Sequence, residues 1–348
     1  MRRDRVYRHV CHVPGDFSPV ALDFKTPCPP QRREGCRVLK VGIDIGGTKI
    51  AGGVVDHDGT VVEKLRVDTP VDTAALADAV ADMARHFAES HEIAAVGVAA
   101  AGFIDKSRSV VIHAPNIAWR NEPLRADLEH RIGRPVTIEN DANAAGWGEY
   151  RFGAGRGVGD MVMLTLGTGV GGAIVSRGEL AYGGHGIGGE LGHMRFIREG
   201  RECGCGQRGC LEQYASGRAL QREANDIADG GGIGAALAQV RAETGAIAGP
   251  AISRLILAGD PGAVEALHRV ATALGEACGG IQAVLDPELF VIGGGVAQLG
   301  ETLLDPVRRA YETSLPGYGE RPVADFVIAQ LGNDAGLIGV ADLAGRSA

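Results

Sequence analysis

The chain has 348 residues, 45% of them apolar and 22% charged, which is enough for about two ordinary domains with cores of their own. The formal net charge is −8, with lysine and arginine scattered beyond residue 40, so the basic footprint that a nucleic-acid partner needs is missing. No run approaches 18 apolar residues and the opening segment has no apolar leader core, so neither a membrane span nor a signal peptide is expected, and the reading is a cytoplasmic protein.

Residues 1–37 are basic and proline-bearing and follow no helical or strand period; the expectation is a disordered extension or an over-extended start. At Val38 the pattern changes. "VLKVGIDIGGTKIAGGVVDHDGTVVEKLRVDT" reads as three strands joined by turns at Gly46-Gly47 and Asp58-Gly59. "DTAALADAVADMARHFAES" is an amphipathic helix capped by Asp72. "AAVGVAAAGFI" follows as one buried strand, "EPLRADLEHRI" as a helix, "PVTIEND" as a strand and "ANAAGWGEYRFG" as another helix.

The second half repeats the opening: "DMVMLTLGTGVGGAIVSRGEL" is again strand, glycine turn, strand, and echoes "LKVGIDIGGTKIAGGVVDHDG". Two such starts, each leading into α/β material, predict two lobes built on related sheets that face one another. "DPGAVEALHRVATALGEACGGIQAVLD" is a long helix with Asp260 as cap and Pro261 at its first position, leading into the strand and third glycine turn of "ELFVIGGGVAQLG". The expected division is an N-terminal lobe over 38–150, a C-terminal lobe over 151–334 and a last helix in 335–348 that packs back on the first lobe.

Each glycine turn taken singly is explained by a hairpin that needs positive φ. Together they offer more, because a ligand held between the lobes meets all of them. Asp44-Ile-Gly-Gly-Thr-Lys49 presents the N–H groups of Gly46 and Gly47, the hydroxyl of Thr48 and the ammonium of Lys49. Thr168, Gly169, Gly171 and Gly172 supply a hydroxyl and further N–H groups in the second copy. Glycine lets backbone approach phosphate oxygens without a Cβ in the way, and no G-x4-G-K-[ST] run competes with this reading. Asp44, just before its turn, either makes an Asx hydrogen bond or holds Mg²⁺ through water beside the phosphates. Asp141 opens a helix after a strand, so it is either an N-cap or a carboxylate that takes the proton of a substrate hydroxyl.

Three cysteines within eight residues, Cys203, Cys205 and Cys210, follow His193. A reducing compartment disfavours a disulfide framework, and three thiolates with one imidazole form the Cys3His set of a closed structural Zn²⁺ site; a redox pair or chance spacing are the alternatives. Glu190 and Glu212 flank this cluster.

With these residues assembled the chain resembles the ROK family of bacterial sugar kinases and repressors, most closely its glucokinases. The likeness runs over about residues 38–345 and is carried by "DIGGTK", "ENDANAAGWGEY", "LGTGVGGAIV", "GGELGHM", "CGCGQRGCLEQYASG" and "VIGGGV". It implies an α/β, actin-like (ribonuclease-H-like) fold of two lobes, with ATP and a sugar in the interlobe cleft. It further implies transfer of phosphate from ATP to O6 of glucose with Asp141 as base, and a homo-oligomer, dimer or tetramer. Asn140, Glu190, His193 and Glu212 would then hold the other sugar hydroxyls, with Gly102 and Asn116 as further contacts. Thr48, Lys49, Thr168 and Gly169 would face phosphates, and Gly294 with Gly295 the adenosine. Under this reading His193 gives one ring nitrogen to zinc and the other to the sugar, so that the metal acts as a clamp for the sugar pocket. Competing expectations are another hexose (fructose, mannose or N-acetylmannosamine), polyphosphate as donor, or a sugar-sensing repressor, whose winged helix-turn-helix would need some sixty or more residues ahead of the fold.

Overall fold

The computed structural model describes residues 38–114 and 117–346; the expectations for residues 1–37 and for Asn116 lie outside these. Strands β1 (Leu39–Ile45), β2 (Lys49–Val55) and β3 (Val61–Asp68) form an antiparallel meander. The second turn is organised by Asp56, whose Oδ1 accepts the N–H groups of Asp58 and Thr60 at 3.0 and 2.9 Å, with Gly59 at φ 80°. Helix α1 (Thr73–Ser90) begins at Asp72, whose Oδ1 accepts the Ala75 N–H at 2.9 Å, and buries Leu76, Val80, Met83 and Phe87 along one stripe.

The run expected as one strand over 94–104 divides. Strand β4 (Ile93–Ala100) stays in the main sheet, whereas β5 (Phe103–Ile104), β6 (Val111–His113) and β7 (Arg120–Glu122) make a small sheet of their own. The break falls at Gly102, where a Cβ would stand 2.6 Å from the His113 carbonyl oxygen, so only glycine lets these segments close up. Helix α2 (Leu124–Ile132), strand β8 (Val136–Asn140) and helix α3 (Asp141–Phe152) complete this half.

The second half begins with β9 (Met161–Leu166), β10 (Val170–Ser176) and β11 (Glu179–Leu180). A long irregular segment leads to α4 (Glu212–Ala215), α5 (Gly217–Asp229), α6 (Ala235–Thr244) and α7 (Gly249–Leu257). Helix α8 (Pro261–Leu285) is capped by Asp260, whose Oδ1 accepts the Ala263 N–H at 2.9 Å, and runs through the core of this half. Strand β12 (Leu289–Gly293), α9 (Glu301–Ser314), β13 (Asp325–Ile328) and α10 (Ala335–Leu343) follow.

The sheet orders are β3-β2-β1-β4-β8 and β11-β10-β9-β12-β13. In both, the first strand of an antiparallel three-stranded opening pairs with a parallel strand that pairs with a second one, so the echo in the sequence is a repeat of a whole sheet. Helix α3 leaves the first sheet and packs on β10 of the second, where Gly146 lets Ala173 approach; a Cβ on Gly146 would lie 2.3 Å from that methyl group. Helix α10 does the reverse. It comes from β13 and lies across β1 and β4, over Gly42 and Gly97, where added Cβ atoms would fall 1.9 and 2.0 Å from the carbonyl oxygens of Leu337 and Val340. The two helices therefore cross in the space between the sheets. Among the described residues no helix is long and apolar enough to cross a membrane.

Candidate active site

The parallel strands of each sheet end at a common edge. Ala100 stands opposite Asn140 and Asp44 opposite Ala99 in the first sheet, and Thr165 opposite Gly293 in the second. Ligands of open α/β sheets bind outside such carboxyl ends. A cavity of about 350 Å³ lies there, lined from the first half by Asp44, Asp141 and Ala142, and from the second by Thr165, Gly294, Gly295 and Gln298. Ile328, Asn333 and Gly336, from the approach to α10, close a further side. A Cβ on Gly336 would sit 2.9 Å from Asp44 Oδ2, so the first turn of α10 presents its backbone directly to that carboxylate.

Asp141 is not the helix cap; Asn140 is. The Asn140 Oδ1 accepts the N–H groups of Ala142 and Asn143 at 2.9 and 3.0 Å, and its Nδ2 donates to the Gly102 carbonyl at 3.1 Å. Asp141 is thereby released from the capping role, and among the described residues it accepts one hydrogen bond, from the Ala142 N–H to its Oδ1 at 3.0 Å. Burial raises its pKa above the ordinary carboxylate range. Burial, reinforced by the charge of Asp141, pushes Asp44 up to about 7. Glu190 is pushed up to about 7 as well, by burial first and then by Asp141 and Glu212. The field of Asp141 thus reaches a carboxylate on each side of it, Asp44 by the cavity and Glu190 by the cysteine cluster.

That cluster is assembled as its spacing predicts. His193 ends a single 3-10 turn, Leu191–His193, directly after Glu190. Ligand atoms of His193, Cys203, Cys205 and Cys210 all lie within 4.8 Å of one another. Cys203 Sγ is 3.7 Å from His193 Nδ1, and Cys205 Sγ is 3.6 Å from Cys210 Sγ. Four ligands at zinc–ligand distances of about 2.0–2.3 Å around a tetrahedral centre stand roughly 3.5 Å apart, so the donor set fits Zn²⁺. His193 would bind it through Nδ1, which leaves Nε2 for another partner. Glu212, two residues past Cys210, places Oε1 3.6 Å from Cys203 Sγ while Oε2 accepts the Val170 N–H at 3.2 Å. Gly169 makes room for this carboxylate, because a Cβ there would lie 2.0 Å from Oε2.

Other expected residues divide. Gly294, at φ 86° and packed on the Leu166 backbone, and Gly295 line the cavity. Lys49, expected at phosphates, pairs with Asp68 at the exposed start of β2 and is absent from the cavity lining. Gly46, Gly47, Thr48 and Thr168 sit in the turns that flank the cavity and do not line it either. Gly171 and Gly172, expected to cradle phosphate, lie inside β10, and the space of their missing side chains is filled by Thr165 with Ala142 and by Gly189 with Leu191. Glycine there serves packing: it lets the segment that carries Glu190 press onto the strand. Sequence reasoning missed Thr165, Gln298, Asn333 and Gly336. Only Gly336, in the "GNDAG" stretch between a strand and a helix, carried a readable signal.

Two copies of one sheet topology facing a shared cleft, bridged by two crossing helices, define an actin-like fold. The chain belongs to the ROK family, whose family model matches residues 40–347. It is similar to a glucokinase of Streptomyces coelicolor, 46% identical over 308 residues that cover 88% of this chain and 97% of that one. A ROK family glucokinase from Streptomyces griseus, solved in complex with glucose and AMPPNP, superposes with a TM-score of 0.80 at 45% identity, covering 88% of this chain and 99% of that chain. A ROK hexokinase from Thermus thermophilus gives a TM-score of 0.72 at 36% identity, with 88% and 98% covered.

Proposed function

We propose that this protein is an ATP-dependent glucokinase that transfers phosphate to O6 of glucose. The observation that carries the reading is the position of Asp141 between the cavity with Gly294 and Gly295 and the cluster of Glu190, Glu212 and His193. Likeness to glucokinases at 45–46% identity over 88% of the chain supports both halves of it. In this reading the nucleotide occupies the cavity and the sugar the pocket beside the cysteine cluster, with lobes of residues 38–150 and 151–334 on either side. Residues 335–346 return across the first lobe.

Asp141 aligns the hydroxyl and takes its proton late, because phosphoryl transfer runs through a loose transition state in which alignment and charge neutralisation supply most of the acceleration. The raised proton affinity of the buried carboxylate suits that step. Asn140 holds the start of α3 in place and keeps one amide hydrogen for a sugar oxygen. Glu190 and His193 Nε2 orient further hydroxyls. Mg²⁺, when bound with the nucleotide, neutralises phosphate charge, and Asp44 is the residue that would hold it through water. Zn²⁺ on the four ligands supplies no chemistry to the phosphate, since the set leaves no open position. Held by these four residues, the ion would tie His193 to the segment that delivers Glu212.

The test is ADP release over a panel of hexoses, with ATP and with polyphosphate as donor, for the natural protein and Asp141→Asn. The expected result is turnover with glucose and ATP, and a loss of about 10²–10⁴-fold in kcat for the variant with folding intact. Turnover by the variant near the natural rate removes the base assignment, and preference for another hexose removes glucose.

A further inference from the structure

Behind the sugar-facing residues lies a buried polar group that the reaction does not use. Glu139, the residue before Asn140, has a side chain 1% exposed. Its Oε1 accepts the Asn140 N–H at 2.9 Å and the Asn143 amide at 3.3 Å, so it grips both ends of the turn that carries Asp141. Its Oε2 has no hydrogen bond among the described residues and lies 3.6 Å from Arg108 Nη1. The same Nη1 donates to Tyr182 Oη at 2.9 Å, and the guanidinium rests 5.3 Å from the centre of the Tyr182 ring.

Arg108 is held for this contact. Its φ is 52°, a conformation that a side-chain-bearing residue keeps only where its surroundings impose it. Asp105 imposes it: its carbonyl accepts the Arg108 N–H at 2.9 Å, and its Oδ1 accepts those of Ser109 and Val110 at 2.8 Å each. Tyr182 belongs to the segment between β11 and Glu190. Four residues further on, Gly186 touches the same turn, where a Cβ would lie 2.4 Å from the Lys106 nitrogen. Covalent neighbours and polar contacts thus connect Asp141 on α3, through Glu139, Arg108 and Tyr182, to the segment that ends in Glu190. A buried ion pair with one oxygen unbonded is no source of stability, since an apolar trio of equal volume would serve at least as well. What such a pair fixes is geometry.

We propose that Arg108, Glu139 and Tyr182 act as positioning residues that set the separation between the Asn140–Asp141 pair and Glu190, and so set affinity for the sugar without affecting that for the nucleotide. The proposal rests on the hexose-kinase reading. Tyr182→Phe keeps the ring and its packing and removes only the hydroxyl; Glu139→Gln keeps the acceptor for the Asn140 N–H and removes the charge. The full-length natural protein, both variants and the double variant are compared for KM toward glucose and ATP, kcat and thermal midpoint.

The expected result is a rise in glucose KM of about tenfold for Tyr182→Phe, the loss of one charge-assisted bond, with ATP KM unchanged and the thermal midpoint lowered by only a few degrees. The double variant is expected to be no worse than the poorer single one, because both act through one contact. A glucose KM unchanged in Tyr182→Phe, equal rises in both KM values, or additive effects in the double variant each overturn the positioning role while leaving the kinase reading intact. Absence of ADP release from the natural protein with every hexose overturns both.

Discussion

Three buried carboxylates whose proton affinity is raised share one cleft. Asp44 and Glu190 are each pushed up to about 7, by burial first and then by the charge of Asp141, with Glu212 adding to the second, and Asp141 itself is raised by burial. The sign for stability follows from linkage. A carboxylate near 4 in the unfolded chain and about 7 in the folded one binds more protons when folded. The ligand-free protein should therefore lose stability as pH rises from about 4 to about 7, and a magnesium–nucleotide complex should release protons as it binds near neutral pH. Thermal midpoints between pH 5 and 8 for the natural protein and Asp44→Asn check this, with a shallower slope expected in the variant; equal slopes would remove Asp44 as the source. The sequence identified Asp141 and Asp44 but left each with a bland alternative. The structure removes the bland alternative for Asp141 by giving the cap to Asn140, a choice of one residue that strand and helix patterns do not resolve.

Between Met194 and Leu211 the chain forms neither a regular strand nor a helix, only the isolated bridges Arg195↔Cys210 and Glu202↔Arg208. The four residues that could staple such a segment, His193, Cys203, Cys205 and Cys210, come together as their spacing suggested, because thiolate spacing is a local signal. Helix α4, four residues long, cannot hold Glu212 in place by itself. Cys205→Ser is expected to lose a stoichiometric zinc, measured by atomic spectrometry, and to raise glucose KM about tenfold or more while ATP KM moves little. A zinc-free variant with natural glucose affinity would sink the clamp. What the sequence hid was the short material: β5, β6 and β7 have two or three residues each, too few for a period of two to register. The glycines of β10 were hidden for another reason. A glycine that admits a neighbouring segment and one that admits a phosphate look alike until the neighbours are known.

The duplicated sheet was visible as a repeated opening, yet the repeat could not reveal how the halves are fastened. Fastening is done by α3 and α10. A Cβ on Gly339 would fall 1.8 Å from the Ala144 carbonyl oxygen, and one on Gly148 would fall 2.4 Å from that of Ala335. Glu149, fully buried on α3, accepts the N–H groups of Ala154, Gln330 and Leu331 at 2.8, 3.0 and 2.7 Å, and so binds the end of α3 to the bend that leads to α10. Gly339→Ala should cost about 1–3 kcal/mol through overpacking at this crossing, read by denaturant unfolding with the slope of the transition unchanged. A cost within 0.5 kcal/mol, the ordinary range for surface positions, would show that the crossing yields.

The placement of α10 also has a bearing on how the chain is made. It is the last helix among the described residues, yet Leu337, Ile338 and Ala341 form a buried cluster with Val55 of β2, and the helix lies over Gly42 and Gly97. On a translating ribosome, β1, β2 and β4 emerge long before the element that covers them. Between the end of β4 at Ala100 and the start of α10 at Ala335 the chain must grow by a further 235 residues, and until then that face of the sheet stays bare to water and to other chains. A nascent polypeptide stalled before residue 335 should accordingly bind a holdase chaperone, and one released after residue 346 should not.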